Sequence, residues 1–118
     1  MKQVLVKNRS RGTVLGERIE IADSFFTRLR GLLGRNGLGQ GEGLLIVPSR
    51  GVHMFGMRFP LDVLLLDSER RVAGRYLGLA PGKATGMHRG IRYALELPVG
   101  MIESTSTGEG DSLDWDLK

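Results

Sequence analysis

The sequence predicts an α+β fold, built on a mainly antiparallel, barrel-like sheet of about seven or eight short strands. Short apolar segments with strand character recur along the chain, and turns rich in Gly, Asn, Asp and Ser separate them. Only residues 23–33 have the apolar spacing of a long amphipathic helix, and a short helical turn is expected near 99–105. Most connections are too short for crossovers between parallel strands, and one domain over residues 1–118 accounts for the whole chain.

The strand predictions follow from apolar runs and from alternation. The predicted strands cover residues 3–7, 13–21, 43–48, 51–55, 61–66, 70–79, 92–98 and 112–117. Residues 18–21 alternate between charged and apolar side chains, which indicates a half-buried surface, whereas residues 61–66 are almost entirely apolar. Pro60 cannot donate a ladder hydrogen bond, so it is expected in a turn that joins the strands before and after it into a hairpin.

The predicted helix carries one apolar stripe. Its members are Phe25, Phe26, Leu29, Leu32 and Leu33. Their spacing places all five on one helix face, so we expect that face to close one side of the sheet. Asp23 or Ser24 is the expected N-terminal cap, and Gly34 the expected end. Gly31 lowers helix stability and suggests that another backbone approaches closely.

The net charge of +4 is unevenly distributed along the chain. Residues 1–100 contain 16 Lys and Arg against 8 Asp and Glu, a net charge of +8. Residues 101–118 contain one Lys against five acidic residues, a net charge of −4, and this acidic tail could fold back on the basic body. A basic body attracts anionic ligands, acidic partners or, weakly, nucleic acid. Nucleic acid is disfavoured, because no aromatic residue stands in a basic run as a stacking platform.

The composition excludes several kinds of site. There is no Cys, so a disulfide framework and a thiolate metal site are impossible. Only two histidines are present, without an H-E-x-x-H pattern, so neither a metal site nor a cofactor is predicted. The N-terminus lacks the apolar segment of a signal peptide, and no window reaches the roughly 18 apolar residues of a membrane helix. We therefore expect a cytoplasmic monomer or homodimer without membrane contact.

Two familiar catalytic or phosphate-binding patterns are also absent from the sequence. The Gly-rich residues 31–43 do not match G-x-G-x-x-G and follow a helix instead of opening one, so they are interpreted as a flexible loop. No G-x-S-x-G surrounds Ser49, Ser68 or Ser104, so no serine stands in a nucleophile elbow.

The stretch GVHMFGMRFPLDVLLLD suggests one possible chemistry. If the predicted hairpin forms, His53 lies within about one residue of Asp62 across the ladder. The carboxylate could then orient the imidazole as the acid–base pair of a hydrolase-type enzyme. In the alternative interpretation, Asp62 accepts hydrogen bonds from turn backbone N–H groups or pairs with Arg58, and its role is structural.

A second set of residues favours binding over catalysis. The candidate ligand-binding residues are Arg50, Arg58, Asp62, Lys83, His88 and Arg89. Arginine and lysine at these positions suit a carboxylate or phosphate ligand. Nearby methionines, at positions 54, 57 and 87, would supply an adaptable apolar floor. The leading hypothesis is a non-catalytic binding or accessory domain, which holds a small anionic ligand or a partner protein between residues 50–62 and 82–92.

The sequence also resembles a known family, the domain of unknown function 192. The resemblance rests, in order, on RLRGLLGR, EGLLIVP, VHMFGMRFPLDVLLLD with the trailing SERRVAG, ALELPVG and GEGD. It covers roughly residues 13–116, and the VHMFGMRFPLDVLLLD block is its most specific part. The resemblance implies a compact β-rich fold and no established reaction.

Overall fold

The structure is a computed structural model that describes residues 2–116. Within this range it contains seven strands and two short helices. The elements are β1 (Gln3–Asn8), β2 (Thr13–Ala22), α1 (Phe25–Arg30), β3 (Glu42–Ile46), β4 (Leu61–Asp67), β5 (Val72–Leu79), β6 (Ile91–Leu97), α2 (Met101–Ser104) and β7 (Leu113–Asp114). Neither helix in this part of the chain is long and apolar enough to cross a membrane.

All seven strands belong to one curled sheet with the order β5-β4-β6-β3-β2-β1-β7. Neighbouring strands are antiparallel except β2 and β3, where Ile19 lies opposite Gly43 in a parallel register. Residues 23–41, which contain α1, make the long connection that a parallel pair requires. A bridge between Arg71 and Ser112 brings the two edges of the sheet together. The predicted α+β, mainly antiparallel and barrel-like fold is therefore confirmed as a half-barrel.

Both faces of the central strands are covered. One face packs β1, β2 and α2 over a core that includes Leu45, Leu64 and Leu95. The opposite face carries Leu44 and Val63, and the loop that follows β3 packs over it. Strands that are buried on both faces have nearly continuous apolar sequences, which explains GLLIV in β3 and LDVLLL in β4.

The hairpin predicted between residues 51–55 and β4 is wrong. Both edges of β4 are occupied, because β4 lies between β5 and β6 in the sheet. The loop of residues 48–60 instead attaches to the later loop 80–90: His53 forms an isolated bridge with Ala84. The longer strands β5 and β6 offer β4 more ladder hydrogen bonds than a five-residue neighbour does, and they occupy both of its edges.

Helix α1 is shorter than the predicted helix of residues 23–33. The Ser24 hydroxyl caps its start and accepts a hydrogen bond from the Thr27 backbone N–H at 3.2 Å. Gly31, not Gly34, ends the helix, because its φ of 49° turns the chain out of the helical path. The expected Ser24 cap is confirmed, and Gly31 is a C-terminal stop instead of an interior residue.

The apolar stripe of the helix is not buried, contrary to the prediction. Phe25, Phe26 and Leu29 are 66%, 78% and 67% exposed. Leu32 alone is buried, at 2% exposed, and it joins the core cluster on the second face of the sheet. Because Gly31 redirects the chain, only the residues that follow it approach the sheet, and the helix keeps its aromatic side chains in solvent.

This arrangement predicts opposite effects for two alanine substitutions in the stripe. Leu32→Ala is expected to lower the free energy of unfolding by about 2–3 kcal/mol, because it opens a space in a packed core. Phe26→Ala is expected to change it by about 0.5 kcal/mol or less, because the ring is exposed. Urea unfolding of both variants measures the difference. Equal losses would mean that the helix packs as the sequence suggested.

The acidic tail folds back on the basic body, as the charge asymmetry suggested. The Asp111 carboxylate lies 3.2 Å from the Arg11 guanidinium, and Asp114 lies 3.8 Å from that of Arg70. The side-chain amide of Asn8 also donates to Asp111, at 3.1 Å. The strand predicted over 112–117 is reduced to two residues, Leu113–Asp114, and Leu117 lies outside the described residues.

Candidate functional site

Asp62 is a buried structural residue of β4. Its side chain is fully inaccessible, and its two carboxylate oxygens accept hydrogen bonds from three backbone N–H groups. The donors are Gly78 at 2.9 Å, Gly100 at 3.0 Å and Ile102 at 3.0 Å. These donors belong to β5 and to the start of α2, not to the turn before β4. Asp62 therefore ties three neighbouring segments together.

The predicted acid–base pair between His53 and Asp62 does not form. It depended on a hairpin that is absent, and all three hydrogen bonds of the buried carboxylate within residues 2–116 go to the backbone. His53 lies in the loop after β3, where its exposed ring stacks on Phe55 with centroids 5.0 Å apart. The hydrolase-type mechanism built on this pair is therefore wrong in its geometry.

The other predicted ligand residues lie on two loops that contact each other, since the His88 backbone N–H donates to the Arg50 carbonyl at 3.0 Å, but their side chains do not line one groove. The Arg58 guanidinium donates to the Asn36 side-chain oxygen at 2.9 Å. The Nε2 atom of His88 lies 2.8 Å from the Thr85 carbonyl oxygen, so this ring stabilises its own loop.

An open groove of about 750 Å³ lies on the second face of the sheet. The end of α1, the loop after β3 and the start of β6 line it. Of the predicted residues, Arg50, His53, Met57 and Met87 line this groove. The lining of the groove does not include Arg58, Lys83, His88 or Arg89.

The positive charge of the groove comes from four arginines, of which the sequence had already indicated Arg50 as a ligand-binding residue. The lining arginines are Arg28, Arg30, Arg50 and Arg92. Arg50 and Arg92 lie at the same end, because the backbone N–H of Ser49 donates to the Arg92 carbonyl at 2.8 Å. Within residues 2–116 neither of these two side chains forms an ion pair with a carboxylate. Exposed apolar side chains accompany them, namely Leu29, Leu33, Phe55 and Met87.

Glu96 is the acidic side chain that lines the groove. It lies in β6 between Leu44 of β3 and Val63 of β4 and is 5% exposed. No ion pair among residues 2–116 involves its carboxyl group, which keeps contact with the groove, because no fully buried side-chain oxygen in this part of the chain lacks a partner. Burial removes water from the carboxylate and raises the pKa of Glu96 to about 7.

Sequence reasoning overlooked Glu96, although a signal for it exists. The alternation of Tyr93, Leu95 and Leu97 directs attention to one face of β6 and leaves Glu96 on the other, apparently solvated face. However, a strand that lies between two strands with continuous apolar sequences is buried on both faces. An acidic residue is rarely fully buried unless it is paired, so one in such a strand is a candidate functional residue.

The sequence relatives are uncharacterised proteins. A UPF0127 protein of Thermococcus sibiricus is 34% identical over 116 residues, covering 94% of this chain and 74% of the relative. A UPF0127 protein of Thermococcus gammatolerans is 32% identical over 123 residues, covering 96% of this chain and 76% of the relative. Both similarities extend over nearly the whole chain.

Two crystal structures share the fold. One is a protein of unknown function from Novosphingobium aromaticivorans, with a TM-score of 0.80 and 25% identity, covering 96% of this chain and 84% of that one. The other is described as a putative transcription regulator from Sinorhizobium meliloti, with a TM-score of 0.77 and 24% identity, covering 96% of this chain and 92% of that one. The family model DUF192, described as uncharacterized ACR, matches residues 6–115. The chain therefore belongs to the DUF192 family.

Proposed function

We propose that this chain is a non-catalytic binding domain whose groove holds a small organic anion with an apolar body. The observation that carries this proposal is the composition of the groove: four arginines and several exposed apolar side chains share one hollow. Its volume of about 750 Å³ lies within the range of roughly 300–1,000 Å³ typical of small-molecule sites. A groove that combines positive charge with apolar surface indicates an amphipathic ligand.

The arginine pair supplies the anion-binding end. Guanidinium groups hold carboxylates and phosphates through two parallel hydrogen bonds, and such charge-assisted bonds are about twice as strong as neutral ones. Arg50 and Arg92 lie at one end of the groove, and carboxylates of residues 2–116 neutralise neither of them. An incoming anion therefore does not have to displace an existing partner.

The apolar side chains supply the second part of the binding energy. Leu29, Leu33, Phe55 and Met87 are exposed to solvent around the groove. Covering about 100 Å² of apolar surface contributes about 2.5 kcal/mol, at roughly 25 cal/mol per Å². Clustered exposed apolar side chains of this kind mark binding surfaces more often than isolated ones do.

An aromatic pair beside the groove favours a second candidate function, docking of an acidic segment of a partner protein. Phe25 and Phe26 contact each other edge to face, with centroids 5.7 Å apart, and both are exposed. Neither ring lines the groove. A protein segment would use these rings as well as the arginines, whereas a small anion would use the groove alone. Phe26→Ser therefore separates the two candidates, because it leaves small-anion binding intact and weakens peptide binding.

Titration calorimetry with octanoate, octyl phosphate and octanol tests the proposed function. The two anions are expected to bind more tightly than the alcohol, since only they engage the arginines. Arg50→Gln is expected to weaken anion binding by about tenfold or more, because a hydrogen bond to a charged group contributes roughly 1.5–3 kcal/mol. The matched control is Arg89→Gln, which removes a nearby exposed arginine that does not line the groove.

The comparison with Arg89→Gln distinguishes binding by Arg50 from a general effect of positive charge. Equal weakening by Arg50→Gln and Arg89→Gln would indicate a general effect of positive charge, and failure of both anions to bind would reject the proposal. A salt series separates these results from nucleic-acid binding by the same arginines, because affinity for an oligonucleotide falls steeply with salt.

A further inference from the structure

Glu96 gives the proposed site a second, oppositely charged end. Residues 92, 94 and 96 alternate along β6 and share one face of the sheet. Arg92 and Glu96 both line the groove, and a separation of four residues along the strand places their Cα atoms about 13 Å apart. Ile46, which pairs with Ala94 between them, lines the stretch in the middle. The groove therefore runs from arginine through an apolar stretch to a carboxyl group.

The environment of Glu96 indicates that a group of a ligand binds its carboxyl group. Its side chain is 5% exposed and has no hydrogen-bonding or ion-pairing partner within residues 2–116, and its carboxyl oxygens are not sealed in the core, since the residue lines the groove. An apolar side chain between Leu44 and Val63 would pack without the cost of burying a carboxyl group. A buried, unpaired carboxyl group in a cleft is therefore unexplained by the fold and is typical of a binding site.

We propose that the groove binds a bipolar linear ligand: Arg50 and Arg92 hold a carboxylate or phosphate at one end, and Glu96 holds a protonated amine at the other. This inference rests on the proposed function, since it assigns the anionic end to the same arginines. Glu96 is then the residue that distinguishes a bipolar ligand from a simple fatty acid or alkyl phosphate. An ammonium group supplies both the hydrogen bonds and the opposite charge that the buried carboxylate lacks.

The other charged side chains around the groove do not take the place of the ligand's ammonium group as the partner of Glu96. Arg28 and Arg30 come from α1, Arg50 and His53 from the loop after β3, and Arg92 from β6. Burial alone is responsible for the raised pKa of Glu96, without an opposing effect of any of these cations. The carboxyl group is therefore not neutralised by an arginine before the ligand arrives.

Binding of the amine is expected to release a proton near neutral pH. In the free protein the pKa of Glu96 is about 7, so part of the population is protonated. The ammonium stabilises the carboxylate and lowers this pKa in the complex. Affinity for the bipolar ligand is therefore expected to rise as the pH increases through about 7 and to level off above it. His53 is present in wild type and in Glu96→Gln alike, so it does not account for a difference between them.

Calorimetry with octanoate and aminooctanoate tests the inference. Wild type is expected to bind aminooctanoate at least about tenfold more tightly than octanoate above pH 7, an advantage of about 1.4 kcal/mol. In Glu96→Gln, the ratio of the affinities for aminooctanoate and octanoate is expected to fall to about one and to become independent of pH. Aminohexanoate and aminoundecanoate probe the distance between the two ends.

The outcomes separate this inference from the proposed function. If octanoate binds but aminooctanoate gains no affinity, or if the gain persists in Glu96→Gln, the role of Glu96 is overturned and the anion site stands. If none of the acids binds, both proposals are overturned. Far-ultraviolet circular dichroism and a thermal melt of Glu96→Gln confirm that the variant is folded at the pH of the titration.

Discussion

Glu96→Gln is expected to stabilise the folded protein by about 3 kcal/mol above pH 7 and to change its stability little near pH 4. Burial raises the pKa of Glu96 from its usual 4.5 to about 7 in the folded protein. At about 1.4 kcal/mol per pKa unit, this difference corresponds to about 3 kcal/mol. Glutamine has nearly the same shape and no charge, so it avoids the cost of a buried carboxylate.

The direction of the pH dependence follows from proton binding. Below pH 4.5 both the folded and the unfolded wild type are protonated at this position, and no cost arises. As the pH rises from 4.5 to about 7, the unfolded chain loses the proton while the folded protein retains it. The wild type therefore loses stability across this window, and the full loss is present above pH 7.

Urea unfolding of wild type and Glu96→Gln at several pH values from about 4 to 8 measures this effect. The matched control is Glu17→Gln, which neutralises an exposed glutamate on β2. The control is expected to differ from wild type by about 0.5 kcal/mol or less at every pH. A stability difference for Glu96→Gln that does not change with pH would contradict the explanation.

Asp62→Ala is expected to lower the free energy of unfolding by about 3–5 kcal/mol. The substitution leaves the backbone N–H groups of Gly78, Gly100 and Ile102 without their acceptor. Each buried donor that loses its partner costs roughly 1–3 kcal/mol. Small domains are stable by only about 5–15 kcal/mol, so the variant is expected to be close to unfolding at moderate temperature.

The comparison with Asp62→Asn identifies the mechanism. Asparagine keeps one carbonyl oxygen, which can still accept from Gly100 and Ile102, and its NH₂ group then faces the Gly78 N–H. We expect a smaller loss than for alanine. Asp116→Ala, at an exposed position, controls for loss of negative charge. A loss for Asp62→Ala no larger than that of this control would show that the three hydrogen bonds contribute little.

The sheet could largely be predicted from the sequence, because strand signals are local. The apolar run LDVLLL and the alternation in residues 18–21 are visible within a few neighbouring residues, so they predict strands without knowledge of the rest of the chain. Strand pairing depends on competition across the whole chain. Residues 51–55 are near β4 in sequence, but β5 and β6 occupy both of its edges. The predicted hairpin is wrong for that reason, and the predicted pairing of His53 with Asp62, which depended on the hairpin, is wrong as well.

The site was predicted less well because it combines distant segments. The loop after β3 was recognised, and it contributes Arg50 and His53 to the groove. Arg28 and Arg30 lie outside the apolar stripe of the predicted helix, and only the early stop at Gly31 determines where the helix places them. Glu96 was overlooked because a period of two along one strand does not reveal whether its second face is covered.

The hydrogen bonds between the two ends of the chain also constrain how the protein can fold. The Asn8 side-chain amide donates to Thr107 at 3.0 Å and to Asp111 at 3.1 Å, across 99 and 103 residues of sequence. Closing a loop of about 100 residues costs roughly 4 kcal/mol of chain entropy, which local contacts do not repay. The β1 edge must therefore wait until residues 107–114 have been synthesised. Until then it presents unpaired backbone groups, so folding is expected to be slow and to depend on protection of that edge from other chains.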